Sequence, residues 1–384
     1  VSHGKRIAEM KVGVNLAYLR PGGVGGSEVY TRELIKALNS RDDIDLRLYC
    51  NSECSGTFEP NKSLKVIEVS GRPFTATRRL IDENVRLAKF LRRDPVDVLF
   101  SPASIAAPFL CVRIPQVVTI HDLQHLAHPS NFTRNERLMR STLFRASAWR
   151  CKRVIVISES TRRDLLEWLK LPPEKVEVIY EGVPSSDIPS KDVIDGVLRH
   201  HGIAEEFFIF PAMAAPNKNH RLLLSAFRRL KDGGFEGSLV LTGKQTRYTD
   251  EVMGFATELG LSTSVKYLGY VTEVDLAALM SSAIALVYPS AFEGFGLPVV
   301  EAFKYGLPAV VSNSSSLPEV CGDAALLLDP HDAEAWEAAM QEVRKDRALR
   351  ERLIERGHER VKLFTWETTA KRTVDVFQSV VASR

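Results

Sequence analysis

Nowhere in the 384 residues does an uninterrupted apolar run approach the ~20 residues that a membrane-spanning helix requires. The first ten residues are short and polar and lead straight into an apolar run, without the hydrophobic stretch of a secretory leader. Cysteine is scarce: Cys50, Cys54, Cys111, Cys151 and Cys321 are odd in number and scattered. Cys50 and Cys54 lie close together, but no second Cys/His pair at zinc spacing accompanies them, so reduced thiols in a cytoplasm are expected. A Gly-x-Gly-x-x-Gly fingerprint is missing from the first glycine-rich turn, which counts against a dehydrogenase. The chain also has no Walker Gly-Lys-Ser/Thr. No 20–50-residue repeat, low-complexity tract or nucleic-acid motif occurs.

What is present suits two ordinary globular domains. The length fits two at ~150 residues each. Hydrophobic residues make up 45% and charged residues 26%. The net charge of +3 conceals an asymmetry: residues 1–184 hold 29 Lys/Arg against 21 Asp/Glu, and the remainder 22 against 27. Seven basic residues crowd each of the stretches 72–93 and 134–153. These stretches are either solvated helix faces or a surface that attracts anionic lipid or a phosphate-bearing acceptor. Nucleic acid is disfavoured, because aromatics do not interleave with the basic residues.

Short β-branched runs alternate with amphipathic segments of helix length. In the first half the runs are 11–16, 45–50, 64–69, 96–101, 116–121, 153–158 and 176–180. Their near-continuous apolarity predicts strands buried on both faces of a parallel sheet. Helical spacing marks 31–39 and 160–169, with Ser160 as the expected N-cap. The loop composition of 181–190 is followed by a second series of strands at 207–210, 238–242, 265–268, 283–288, 309–312 and 325–328. Helices such as 220–230 and 332–343 lie between them. Two such series predict an α/β protein with two doubly wound domains. Ligands of such sheets bind beyond the carboxyl ends of the strands, so facing domains would place the site in a cleft.

The strongest motif is Glu293-Gly-Phe-Gly-Leu-Pro-Val-Val-Glu301, between the run 283–288 and a helix expected to reach about Tyr305. Gly294 and Gly296 permit close approach of the backbone, and the new helix turns its first N–H groups, at Phe295, Gly296 and Leu297, toward an anion. Glu301 is placed to bind a ribose diol and Glu293 to meet the sugar of a nucleotide-sugar. Gly22-Gly23-Val-Gly-Gly-Ser27 forms a second glycine turn. His121 closes the run 116–121, with Asp122 beside it to orient the ring, and His125 and His128 read as loop residues.

The 293–301 segment resembles the Glu-x7-Glu motif of retaining GT-B glycosyltransferases of the family-4 group. The likeness extends over 283–330, through Tyr-Pro-Ser, Ser-Leu-Pro-Glu-Val and Gly-Asp-Ala-Ala. It also takes in the Gly22 loop, Thr119-Ile-His-Asp-Leu123, Val156-Ile-Ser-Glu-Ser160 and 211–220, which ends in Asn-Lys-Asn-His. It implies two Rossmann-like domains facing across a cleft. The first is an acceptor-side domain at 1–184. The second is a nucleotide-sugar domain at 185–367, with a helix at about 368–384 packing back on the first.

By the same resemblance Lys218 binds the donor diphosphate. Gly22 and Gly23 approach it through their amides, and His121 lies beside the transferred sugar. Many members carry an Arg six residues before that Lys; here the position is Ala212. A mannosyltransferase-like subgroup with Pro-Ala and Lys-Asn-His is more similar.

The resemblance implies retaining, metal-independent transfer of a sugar from a nucleoside diphosphate to an acceptor hydroxyl. Glu293, Lys218 and His121 are the catalytic candidates, and no cofactor beyond the nucleotide-sugar co-substrate is expected. GDP-mannose is the first choice of donor. UDP- or dTDP-sugars stay open, because nothing fixes the base-binding loop near Tyr270 and Val271. The acceptor is expected to be carbohydrate or lipid-linked, in cell-surface polysaccharide or glycolipid synthesis. The enzyme is expected in the cytoplasm, with weak contact to the anionic inner membrane face. A nucleotide-sugar epimerase and an inactive nucleotide-sugar-binding subunit are the competing readings.

Overall fold

The computed structural model describes residues 9–22, 25–71, 81–103, 105, 109, 113–184 and 187–383. The chain forms two compact units. One runs to Gly182 and regains the chain from Thr365; the other is Val183–Phe364.

The first unit is built on seven strands: β1 (Met10–Leu16), β2 (Ile44–Asn51), β3 (Leu64–Ser70), β4 (Val98–Ser101), β5 (Gln116–Ile120), β6 (Arg153–Val156) and β7 (Val176–Val178). All pair in parallel, in the order β3-β2-β1-β4-β5-β6-β7. β4 and β5 are buried along their whole length, as strands covered on both faces must be. Leu165 and Phe144 pack with Val118 and Ile120, while Tyr49, Leu87 and Leu99 form a separate cluster.

The second unit contains β8 (Phe207–Pro211), β9 (Ser238–Thr242), β10 (Val265–Tyr267), β11 (Leu286–Tyr288), β12 (Ala309–Ser312) and β13 (Leu326–Leu328). These are also parallel, in the order β10-β9-β8-β11-β12-β13. One large core runs through this unit, with Phe208, Phe210, Phe227, Phe303 and Trp336 fully buried.

Each sheet has one point where the strand order reverses: between β1 and β4 in the first unit, and between β8 and β11 in the second. Connections from the two central strands leave there in opposite directions and open a crevice at their carboxyl ends. The turn at Gly22 follows β1, Lys218 follows β8 and Glu293 follows β11.

Some element boundaries correct the expectations. The helix expected from Ser160 begins at Glu159, and Ser158 is its cap: the Ser158 hydroxyl accepts from the Thr161 amide at 3.0 Å, while Ser160 is buried inside the helix. After Asp164 it widens into a π-type turn, Leu165–Leu169, and stops at Lys170, whose φ is 54°. β11 spans only Leu286–Tyr288, because the amides of Ala283 and Ile284 pair with Leu279 and Phe207 outside the ladder with β12.

The helix Trp366–Ala382 completes the first unit by burying Trp366, Val374, Phe377 and Val380. The Phe377 ring lies 5.3 Å from that of Phe100, and Trp366 lies 5.9 Å from Tyr30. Thr369 Oγ1 donates to the Tyr180 carbonyl at 2.8 Å. Gly182 is obligatory at this crossing, since a Cβ there would lie 2.5 Å from the Trp366 amide nitrogen.

Candidate active site

In the second unit, the chain leaving β8 makes a tight turn at Pro216–Lys218. Asn219 follows in the left-handed region, φ 57°, and the helix His220–Asp232 begins. The Asn219 side chain secures this strained residue by donating to the Pro330 carbonyl at 2.6 Å. Lys218 is thereby held over the end of β11. Its Nζ donates to Glu293 Oε1 at 2.5 Å and to the Tyr288 hydroxyl at 3.2 Å, and lies 5.5 Å from the Tyr288 ring centre. Two of the sequence-derived candidates, 75 residues apart, thus form one ion pair.

Glu293 shares its Oε1 with a second donor, the Ser290 hydroxyl at 2.5 Å. The turn carrying it is braced from several directions. Asn217 accepts the Ala291 amide at 2.7 Å through its carbonyl and donates its side-chain amide to the Phe292 carbonyl at 3.1 Å. Ser314 Oγ donates to the Ala291 carbonyl at 2.6 Å, and Ser315 Oγ accepts the Glu293 amide at 2.8 Å. Ser316 Oγ reaches the Glu293 and Phe295 carbonyls at 3.0 and 2.8 Å. Ser312 Oγ bonds the Ser290 carbonyl. A turn at a strand end exposes many backbone groups, and this serine run satisfies them.

Gly296, φ 110°, then opens the helix Leu297–Lys304. Phe295 is buried, its ring 5.4 Å from that of Phe364, so its backbone rather than its side chain can face a ligand. Glu301 sits half-buried one turn into the helix. Burial, reinforced by the Glu273 carboxylate and opposed by the Lys304 ammonium, pushes it up to about 7. Tyr288 stays neutral: burial and the Glu293 carboxylate raise its hydroxyl well above the usual tyrosine range.

The base-loop candidates follow β10. Tyr270 is 75% exposed and Val271 half-buried. Their loop is tied to the end of β9 by the Gly243 amide, which donates to the Gly269 carbonyl at 2.8 Å. Gly243, φ 131°, packs backbone to backbone against Ala212, where a Cβ would lie 2.8 Å from the Ala212 carbonyl carbon. Ala212 is buried there and supplies no second cation.

In the first unit, the Gly22 amide donates to Glu28 Oε2 at 2.9 Å, and Glu28 is in turn paired with Arg32. A carboxylate therefore occupies this anion-seeking amide. Gly23 lies outside the described residues.

His121 lies one residue beyond β5, which ends at Ile120. Its Nε2 is 2.8 Å from the Pro102 carbonyl, its Nδ1 3.5 Å from Glu181, and the Tyr30 ring meets it edge-on at 4.8 Å. Burial alone would lower its pKa, but Glu181 and the Pro102 carbonyl more than offset this, and the net shift is upward. The ring is thus oriented by Glu181 and not by Asp122, whose carboxylate caps the Gln124 amide at 3.0 Å. His125 is likewise not a loop residue; it is buried within the short helix Gln124–Ala127.

Sequence reasoning missed Glu181, Tyr288, Ser290 and the serine brace. The run Ser314-Ser315-Ser316 was the available signal. Among the described residues, no group of three or more His, Cys, Asp or Glu is arranged to hold a metal ion.

The sequence matches the family described as Glycosyltransferase Family 4 over residues 24–187, and Glycosyl transferases group 1 over residues 200–360. It is 30% identical to the O-antigen chain mannosyltransferase B of Escherichia coli, a likeness covering 91% of this chain and 94% of that one. The chain belongs to the family-4 glycosyltransferases.

Solved structures agree with this glycosyltransferase in fold. Sucrose-phosphate synthase from Thermosynechococcus elongatus superposes with a TM-score of 0.80 at 19% identity, covering 98% of this chain and 100% of that one. The Anabaena protein HepE, solved with UDP-glucose, superposes at 0.75 and 19% identity, covering 97% and 100%. Each unit of this glycosyltransferase is a Rossmann-like domain of the GT-B class.

Proposed function

We propose that this glycosyltransferase is a retaining, metal-independent mannosyltransferase. It takes mannose from GDP-mannose and passes it to a carbohydrate or lipid-linked acceptor hydroxyl on the cytoplasmic face of the membrane, in cell-surface polysaccharide or glycolipid synthesis. The observation that carries the mechanism is the Lys218–Glu293 pair at the reversal point between β8 and β11. The choice of mannose and of a polysaccharide product rests on the likeness to the O-antigen chain mannosyltransferase.

In the reaction the bond from the anomeric carbon to the diphosphate oxygen breaks, and a bond to the acceptor oxygen forms on the same face. The acceptor proton passes to the departing phosphate. Negative charge grows on that phosphate, and Lys218 is the preorganised cation that meets it. Without donor, the Lys218 ammonium is neutralised by Glu293. An arriving diphosphate competes for the ammonium, which leaves the Glu293 carboxylate, still held by Ser290, free to accept from the sugar hydroxyls. Glu301 takes the ribose diol, and the helix Leu297–Lys304 directs its first amides at the phosphates.

The test is nucleoside diphosphate release from a panel of nucleotide-sugars, with and without excess EDTA, and the anomeric configuration of the product by NMR. GDP-mannose is expected to be the preferred donor, with full activity in EDTA and a retained α-linkage. An inverted product, or activity lost to chelator and restored by Mg²⁺, would overturn the scheme.

A further inference from the structure

In the first unit the helix Arg134–Arg150 runs between the end of β5 and the start of β6, which are neighbouring parallel strands. It must therefore begin on the carboxyl side of the sheet and return to the amino side. Its first turns share that carboxyl side with His121 and the Gly22 turn, where sheets of this kind bind ligands.

The inner face of this helix changes character along its length. The last turns bury Phe144, Ser147 and Ala148. At 100° per residue Arg137 falls on that same side, with Ser141 and Arg134 at its edge. Apolar residues there would close the helix onto the body, as they do further on. Arginine and serine instead leave a groove of about 410 Å³, which Leu126, Pro129 and Leu138 also line. That volume lies within the ~300–1,000 Å³ of ordinary small-molecule clefts.

The polar groups of the groove lack partners. Among the described residues, the Arg134 and Arg137 guanidiniums make no hydrogen bond or ion pair. His125, on the opposite wall, is 1% exposed, and neither of its ring nitrogens has a hydrogen-bond partner. Burial, reinforced by the Arg140 guanidinium and opposed by Asp122, pushes its pKa down to about 4. The ring is thus neutral at pH 7, with one N–H to donate and one lone pair to accept.

Each feature selects a different part of one ligand. Two guanidinium forks match the oxygens of a carboxylate or phosphate group. A neutral imidazole pairs with a group that both donates and accepts, as a sugar hydroxyl does. The Leu126, Pro129 and Leu138 side chains suit the C–H face of a pyranose ring. We propose that this groove is an acceptor subsite for an acidic sugar. Arg134 and Arg137 take its carboxylate or phosphate group, and His125 takes one of its hydroxyls. The inference rests on the proposed transfer to a carbohydrate acceptor and names the class of that acceptor.

The experiment is ligand-observed NMR titration of the full chain, without sugar donor. The probes are methyl glucuronide, mannose 6-phosphate, neutral methyl mannoside and inorganic phosphate. At least one acidic sugar should bind, and which of the two does so separates a carboxylate from a phosphate. Methyl mannoside and inorganic phosphate should bind more weakly. Arg134→Gln/Arg137→Gln should weaken the acidic sugar by roughly 10-fold or more per arginine, the worth of a charge-assisted hydrogen bond. The double variant should bind nucleoside diphosphate as wild type does, which shows that it is folded. Failure of both acidic sugars to bind overturns the proposal, as does undiminished binding in the double variant. Inorganic phosphate binding as tightly as the acidic sugar would leave no sugar recognition and overturn it too. So would arginine-dependent capture by phosphatidylglycerol vesicles with no binding of either acidic sugar. The readout needs no donor, so failure of GDP-mannose as donor and failure of this subsite are separate results.

Discussion

Glu293 and Glu301 share a motif but not an environment. Glu293 is ion-paired to Lys218 and held by Ser290, whereas Glu301 is half-buried with its pKa pushed up to about 7. Removing Lys218 takes away a preorganised charge donor, so Lys218→Ala should lower kcat by ~10²-fold or more. Glu293→Gln should mainly reduce kcat while nucleoside diphosphate still binds nearly as well. Glu301→Gln should mainly raise the donor KM, because a ribose contact is made equally in ground and transition states. Steady-state kinetics and calorimetry on the three variants check this, and reversed phenotypes for the two glutamates would reverse the placement of the nucleotide along the turn.

The raised pKa of Glu301 also makes a stability prediction. The unfolded chain releases this proton near pH ~4.3, whereas the folded protein keeps it until about 7. The folded state therefore binds more protons across that window, and the stability due to this group falls as pH rises through it. Glu301→Gln should flatten that slope in denaturant titrations at about pH 5 and about pH 7.5. Over the upper part of the same window, the donor KM of the wild type should fall with rising pH as the carboxylate forms. In the Gln variant it should not.

At the scale of elements, the turn between β11 and the helix Leu297–Lys304 depends on one glycine. Gly296 has φ 110°, and a Cβ on it would lie 2.6 Å from Leu317 Cδ2. Gly296→Ala must strain the backbone and displace Leu317 from the following helix, at a cost of ~1–3 kcal/mol. The serine brace hangs on the same turn, so donor affinity should fall with stability. Gly254 is the control. It lies exposed within the helix Thr249–Glu258, where an added Cβ would meet nothing within 4 Å, so Gly254→Ala should instead stabilise by ~0.5–1 kcal/mol. Equal effects of the two substitutions in chemical denaturation would contradict the strain argument.

For the molecule as a whole, the return of the chain at Thr365 makes the last helix part of the first unit's core. Phe377 is fully buried against Phe100, and Trp366 closes over Gly182 beside Tyr30. Phe377→Ala should destabilise the first unit by ~3–5 kcal/mol and leave the second little changed. Hydrogen exchange in the two units, measured separately, checks this: a uniform loss of protection would show that they unfold as one.

The sequence by itself determined the class of fold. A run such as Val-Leu-Phe-Ser at β4 can satisfy its apolarity only as a doubly covered parallel strand, and two such series separated by a loop impose two sheets. Glu293 and Glu301 stood out beside a glycine turn with a local signature, whereas Lys218 was singled out by the family resemblance; the structure adds that Lys218 and Glu293 are paired. The helix cap at Ser158 rather than Ser160, and the end of β5 at Ile120, were not legible, because a boundary is decided by which neighbour satisfies each amide.

Only the tertiary structure decided who pairs with whom. Lys218 meets Glu293 because β8 and β11 are neighbours in the sheet, although β9 and β10 lie between them in the chain. Glu181 reaches His121 across the order β5-β6-β7, and Ser314–316 brace a turn some twenty residues earlier. Such contacts are set by strand order, and strand order follows from how whole helices and sheets cover one another's apolar faces, which no local stretch of residues encodes.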